Sequence, residues 1–274
     1  MKTVNHVNNI PLHYARTTAH PYGSRGLQRN FQVETSFYKT LETAFKEVFD
    51  NCPFGKPEVL TTAGIFVNKP GQHGHGKAFD LDAIFWSGTT LVTMNFLHQK
   101  LLYLGVESFL RKHFGIVLNY LYPNHKDHWH IDVSVPVDYH ESSKSETLYV
   151  QMVMKYVYDK DILIDGLWGP QTRNAVKDIF ARLGIDLPIT TKKNYLNFLD
   201  LTGKIAFKLC EEKSNPIQLL DNLNEVIGDL QTQDMIKVRE ALNSFLDHTS
   251  TSDWLSSVDD DHHDLDAIID TVIA

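Results

Sequence analysis

Two short runs constrain this chain more than any other feature. In Ala78-Phe79-Asp80-Leu81-Asp82 and in His128-Trp129-His130-Ile131-Asp132, apolar and polar residues alternate one for one. That period belongs to a half-buried strand, whose successive side chains leave on opposite faces. His128, His130 and Asp132 therefore share one face, while Trp129, Ile131 and Val133 turn into a core. Asp80 and Asp82 likewise stand opposite Phe79 and Leu81. Upstream, the glycines at 71, 74 and 76 let the chain fold tightly, so that His73 doubles back onto the Asp80 face. A catalytic zinc takes three nitrogen or oxygen ligands and keeps one open position. The two runs supply such atoms. Either alone fits a polar loop of solvated histidines; both together point to one shared site.

The chain has 274 residues, enough for two or three compact units. Its net charge of −8 is unevenly spread: residues 1–190 hold 19 Lys and Arg against 18 Asp and Glu, residues 191–274 hold 7 against 16. A nucleic-acid binder needs a basic face to neutralise phosphates, so that class is excluded. No apolar run approaches the roughly 18 residues of a membrane span. The first residues lack the apolar core of a secretory signal. Cys52 and Cys210 make no disulfide framework or metal knuckle, and are expected as thiols in separate domains.

The pattern predicts an α+β fold built on a small antiparallel sheet with flanking helices. Residues 1–30 read as an irregular arm. A helix is expected from Thr35 to about Asn51, where Pro53 stops it. Strands are expected at Val59–Val67, Ala78–Trp86, Gly115–Tyr122 and His128–Val137. Helices Leu91–Leu104 and Val106–Phe114 are expected to be divided by Gly105. A polar linker, Ser142–Ser145, follows. Helices Leu148–Tyr158 and Arg173–Leu183 flank a turn-rich segment. Two amphipathic helices, near Ile217–Leu230 and Met235–Leu246, precede a solvated acidic tail that carries His262 and His263. The implied divisions are 1–141, 146–188 and 191–274.

The run Gln72-His73-Gly74-His75-Gly76-Lys77-Ala78-Phe79-Asp80 resembles the H-x-x-G-x-A-x-D motif of the LAS metallopeptidases, the group of lysostaphin, D-Ala-D-Ala carboxypeptidase and Hedgehog. His73, Gly76, Ala78 and Asp80 fall on it. Asp127-His128-Trp129-His130 resembles the family's closing H-x-H element, and FGIVLNYLYPNHKDHWHID is similar to the extensin-like branch. The likeness spans roughly residues 30–136. It implies zinc on His73, Asp80 and His130, with Asp127 as general base and His128 stabilising the transition state. His75, His125 and Trp129 are the expected substrate contacts. Asp127 lies an odd number of residues from His130, so a bend at Lys126-Asp127 must bring it round. Gly71 stands where the family often has serine. The paired cysteines of extensin-like members are absent, which fits a route on which disulfides do not form.

Residues 147–185 resemble the small helical peptidoglycan-binding domain often fused to wall hydrolases, on Asp165-Gly166, Gly169-Pro170, Thr172, Ala175, Val176 and Phe180. Asp165, Gly166, Trp168, Gly169 and Thr172 are the expected wall contacts, with Thr172 capping the second helix. Together the two resemblances imply a zinc peptidase that cuts stem peptides or cross-bridges of peptidoglycan in the periplasm or outside the cell. It would be released by a phage or delivered by a secretion machine, with an immunity or delivery partner in the second case. The alternative is a zinc-stabilised wall-binding protein without turnover. Three bonds fit: D-Ala–meso-diaminopimelate, D-Ala–D-Ala and L-Ala–D-Glu.

Overall fold

The computed structural model describes residues 1–214 and 265–273. The fold is α+β: a mixed, mainly antiparallel sheet with helices packed against it. The strands are β1 (Lys2–Val4), β2 (His6–Val7), β3 (Ile10–Tyr14), β4 (Leu27–Gln28), β5 (Phe31–Val33), β6 (Val59–Gly64), β7 (Ala78–Phe85), β8 (Thr90–Val92), β9 (Ile116–Leu118) and β10 (Trp129–Asp132). The helices are α1 (Thr35–Asn51), α2 (Lys100–Arg111), α3 (Lys144–Tyr156), α4 (Pro170–Leu183), α5 (Lys192–Lys213) and α6 (Leu265–Ile273). The main sheet runs β2-β3-β6-β7-β10-β9, with β4 beside β3 and β8 beside β7. No described helix is long and apolar enough to cross a membrane.

Helix α1 forms where its apolar spacing predicts. Phe37, Leu41, Ala44, Phe45 and Val48 are buried along one stripe. The Glu34 carboxylate caps it by accepting the Phe37 N–H at 2.9 Å. Strands β7 and β10 pair antiparallel with Trp129 opposite Leu81, His130 opposite Asp80 and Ile131 opposite Phe79. The inward partners Phe79, Leu81, Trp129 and Ile131 are all fully buried.

Three expectations need correction. The first 30 residues are not an irregular arm: they supply four strands, and β3 runs parallel to β6 through Leu12 and Leu60. Residues 91–114 are not two helices divided at Gly105. Strand β8 and a 3-10 turn, Thr93–His98, occupy the first part, and α2 runs unbroken through Gly105. The glycine serves packing instead, because a Cβ there would lie 2.4 Å from the Phe207 ring of α5. Gly203 of α5 returns the arrangement to α2, with Phe109 2.6 Å from its would-be Cβ, and the two rings stack at 5.7 Å. Helix α5 itself was not anticipated, and the acidic tail ends in a helix whose Ile268 and Ile269 are buried. One cluster of buried apolar residues extends from Val4 to Ile269. The helices expected near 217–230 and 235–246, and the His262-His263 pair, lie outside the described residues.

The α2–α5 contact carries a test. Valine is slightly better than glycine in a free helix, but overfilling a packed contact costs about 1–3 kcal/mol. Gly105→Val is therefore expected to lower stability by about 2 kcal/mol in denaturant unfolding, and a gain would overturn this account of the glycine.

Candidate metal centre

Residues from three places in the chain build the site. Asp80 and His130 are cross-strand neighbours in the β7–β10 ladder, and such pairs hold their Cβ atoms about 4.5–5.5 Å apart. His73 arrives on a 3-10 turn, Gln72–His75, held between Gly71 (φ 93°) and Gly76 (φ 65°). At Gly76 the left-handed conformation favours glycine, and an added Cβ would also press to 3.0 Å of Glu34 N.

The three side chains converge. His73 Nε2 lies 3.1 Å from Asp80 Oδ1 and 3.2 Å from His130 Nδ1, and His130 Nδ1 lies 2.9 Å from Asp80 Oδ1. Zinc–nitrogen bonds of about 2.0–2.1 Å give a tetrahedral edge of roughly 3.3 Å, so these separations match the edges of a metal tetrahedron. The outer ring nitrogens are pinned. His73 Nδ1–H donates to Ile65 O at 2.7 Å, and His130 Nε2–H donates to Asp132 Oδ2 at 3.0 Å. With each tautomer fixed in this way, the remaining lone pair of each ring faces the shared point. Three acceptors about 3 Å apart repel one another unless a cation or proton sits among them.

The surroundings favour positive charge at that point. Burial pulls the His130 imidazole down, but hydrogen bonds to Asp132 and Asp80 outweigh it and raise its pKa to about 9. Asp80 is held well below the usual carboxylate range: burial pushes it up, and its close contacts with His130 and His73 more than offset that. Among the described residues, His73, Asp80 and His130 form the one group of three whose ligand atoms all fall within 4.8 Å of one another.

Asp127 and His128 sit in the turn before β10, so the required bend is present. His128 Nδ1–H donates to Asp127 Oδ1 at 2.8 Å, and His128 Nε2 lies 3.8 Å from Asp80 Oδ1. Asp127 Oδ2 accepts from Arg16 Nη1 at 2.7 Å. Burial raises the Asp127 carboxyl, yet His128 and Arg16 together hold it below its ordinary value.

Arg16 was missed in the sequence. It follows β3, and its Nε and Nη2 grip the buried Asp82 carboxylate at 2.9 and 2.7 Å. Chiefly through that bond, its guanidinium holds its proton more firmly than usual. Arg16 stands 66 residues from Asp82 and 111 from Asp127, and no local pattern announces a partner so distant.

The expected substrate contacts separate into three fates. His125 lines the cavity over the triad, whose volume is about 340 Å³, together with Lys69, Gln72, Leu118 and His128. Its Nδ1–H donates to Pro123 O at 2.7 Å, and burial pulls its pKa below the usual imidazole value. His75 is exposed and lies outside the lining. Trp129 must be withdrawn as a substrate contact. It is fully buried, its ring packs 4.0 Å from Tyr103, and its indole N–H donates to Glu107 Oε2 at 3.2 Å. The same alternation that turns His128 and His130 to the site turns Trp129 away.

In the segment 165–172 the expected wall contacts are largely tied to one another. Gln151 Oε1 accepts the backbone N–H groups of Asp165 (3.0 Å) and Gly166 (2.8 Å), and its Nε2 donates to Asp165 Oδ1 at 2.8 Å. Thr172 is buried and faces Gln151 Nε2 at 3.1 Å. It does not cap α4, whose N-cap Gly169 has no side-chain bond. Trp168 is half-buried against Tyr139, with ring centres 5.2 Å apart. Asp165 is nonetheless exposed, and so are two large apolar side chains that were not anticipated, Leu163 and Leu167.

The chain is thus an α+β protein with a two-histidine, one-carboxylate group that could hold a metal ion. No protein-family model, curated protein or solved structure matches this chain.

Proposed function

We infer that the chain is a zinc-dependent peptidase acting on the stem peptides or cross-bridges of peptidoglycan. The observation that carries the reading is the convergence of His73 Nε2, His130 Nδ1 and the Asp80 carboxylate, with both outer ring nitrogens anchored. Zinc accepts this donor set, and a catalytic site takes three protein ligands and leaves the fourth position to water or substrate; all three residues line the cavity. Bound there, zinc supplies Lewis-acid polarisation of an amide carbonyl and brings the pKa of water towards about 7.

The chain's own groups perform the proton work. Asp127 Oδ1 and Oδ2 are engaged by His128 and Arg16, but each carboxylate oxygen has two lone-pair sites. Asp127 therefore keeps acceptor capacity for the attacking water's proton, which it passes to the departing amine. Arg16 fixes its orientation. His128, with Nδ1 on Asp127, directs Nε2 towards the triad, where a ring N–H would donate to the developing oxyanion.

The similarity of residues 147–185 to wall-binding domains supports tethering on the same polymer, which raises the local substrate concentration. Because Gly166 and Thr172 are buried, wall contact in this reading falls to the exposed Asp165, Leu163 and Leu167.

Digestion of purified sacculi, with muropeptides read by mass spectrometry, tests the proposal. The zinc-supplied chain should release new peptide ends, and a chelator should suppress them. Asp127→Ala should retain zinc while losing at least the roughly 10²–10⁴-fold that a general base contributes. Undiminished turnover would remove Asp127 from the mechanism, and intact sacculi after treatment with the unsubstituted chain would defeat the peptidase reading.

A further inference from the structure

We propose that Lys69 sets the substrate class of this pocket by reading a free carboxylate on the carbon that bears the scissile nitrogen. The inference rests on the peptidase reading and narrows it.

Lys69 is the one lysine or arginine lining the cavity, and the one lining carboxylate, Asp80, is committed to the triad. Arg16, which pairs with the site's Asp127, is already held by Asp82 and Asp127. Among the described residues the Lys69 ammonium makes no ion pair or side-chain hydrogen bond. The cavity wall therefore includes one lysine whose charge has no partner among the described residues.

Its placement is built into the ligand turn. Val67 N–H donates to His73 O at 3.2 Å, and Gly74 N–H donates to Gly71 O at 3.0 Å. The Lys69 carbonyl packs so closely on Gly74 that a Cβ there would come within 2.1 Å of it. The backbone of Lys69 is thus fixed relative to His73, and its four-carbon stem carries a compact charge from the cavity wall.

Chemistry then selects the ligand. In D-Ala–meso-diaminopimelate, D-Ala–D-Ala and γ-linked L-Ala–D-Glu, the residue on the amine side has a carboxylate on the carbon attached to the scissile nitrogen. A glycine bridge has none at its internal bonds. A cation beside the metal would favour the first three and pass over the last, because a charge-assisted contact forms only when that carboxylate is free.

The experiment uses the full chain supplied with zinc and synthetic peptides containing each of the three bonds. Each peptide is made with a carboxylate or a carboxamide at that carbon, and pentaglycine is included. The carboxylate forms should be favoured about tenfold or more in kcat/KM, through KM. Lys69→Met should erase the preference, and Lys69→Arg should retain most of it. Equal cleavage of carboxylate and carboxamide forms, a preference that persists in Lys69→Met, or efficient cleavage of pentaglycine would overturn the role of Lys69 and leave the peptidase reading standing. Cleavage of none of the peptides would overturn both.

Discussion

Asp80→Ala is expected to leave a folded chain that no longer retains zinc. Asp80 supplies the only negative charge of the triad and contacts both of its imidazoles, at 3.1 and 2.9 Å. Loss of a group that merely orients a ligand costs roughly 10–100-fold in metal affinity; loss of the ligand itself should exceed that. Titration calorimetry and metal content per chain would measure it. The unsubstituted protein should also melt higher as zinc is added, since a ligand that binds only the folded state stabilises it. Asp80→Ala should show no such rise. One zinc per chain with unchanged affinity in the variant would show that the triad is not the metal centre.

The second large effect lies behind the site. Glu107 is fully buried and accepts Arg111 Nε at 2.9 Å, Asn119 Nδ2 at 2.8 Å and the Trp129 indole N–H at 3.2 Å. Arg111, also buried, spends a further N–H on Val117 O and on Ser145. Burial works against its charge, and Glu107 restores it, raising the Arg111 pKa overall. Glu107→Gln keeps the shape and removes the charge. Breaking one side of such a pair costs about 3–5 kcal/mol, because the partner charge is left uncompensated. Denaturant unfolding should show a loss of that size. The double change Glu107→Leu with Arg111→Met should recover much of it, since apolar replacement of both partners is often neutral. A loss under about 1 kcal/mol for Glu107→Gln, against that 3–5 kcal/mol expectation, would mean Arg111 is compensated elsewhere.

Much of the site was legible in the chain because its geometry is periodic. A strand's two-residue repeat assigns His128, His130, Asp80 and Asp82 to one side and Trp129 to the other, and the structure keeps that division. Trp129 was expected at the substrate by its position in the motif, although its alternation already placed it in the core. Arg16 was illegible because its partners are distant and its surroundings lack pattern. Gly105 misled for a different reason. Intrinsic preference reads a glycine as a break, whereas its role depends on Phe207, a residue 102 positions later in the chain. The first 30 residues failed similarly, since strands of two to five residues are made by their neighbours more than by their own composition.

The pairing of His130 with Asp80 across two strands would make metal affinity, on the proposed reading, a gauge of how those strands align. A slip of one residue between them would rotate His130 into the space now filled by Trp129 and bring an indole against the acid. No cation could then be held, however well the rest of the chain had collapsed. Zinc uptake during refolding would accordingly report the moment the ladder locks in its native alignment, not the earlier gain of helix.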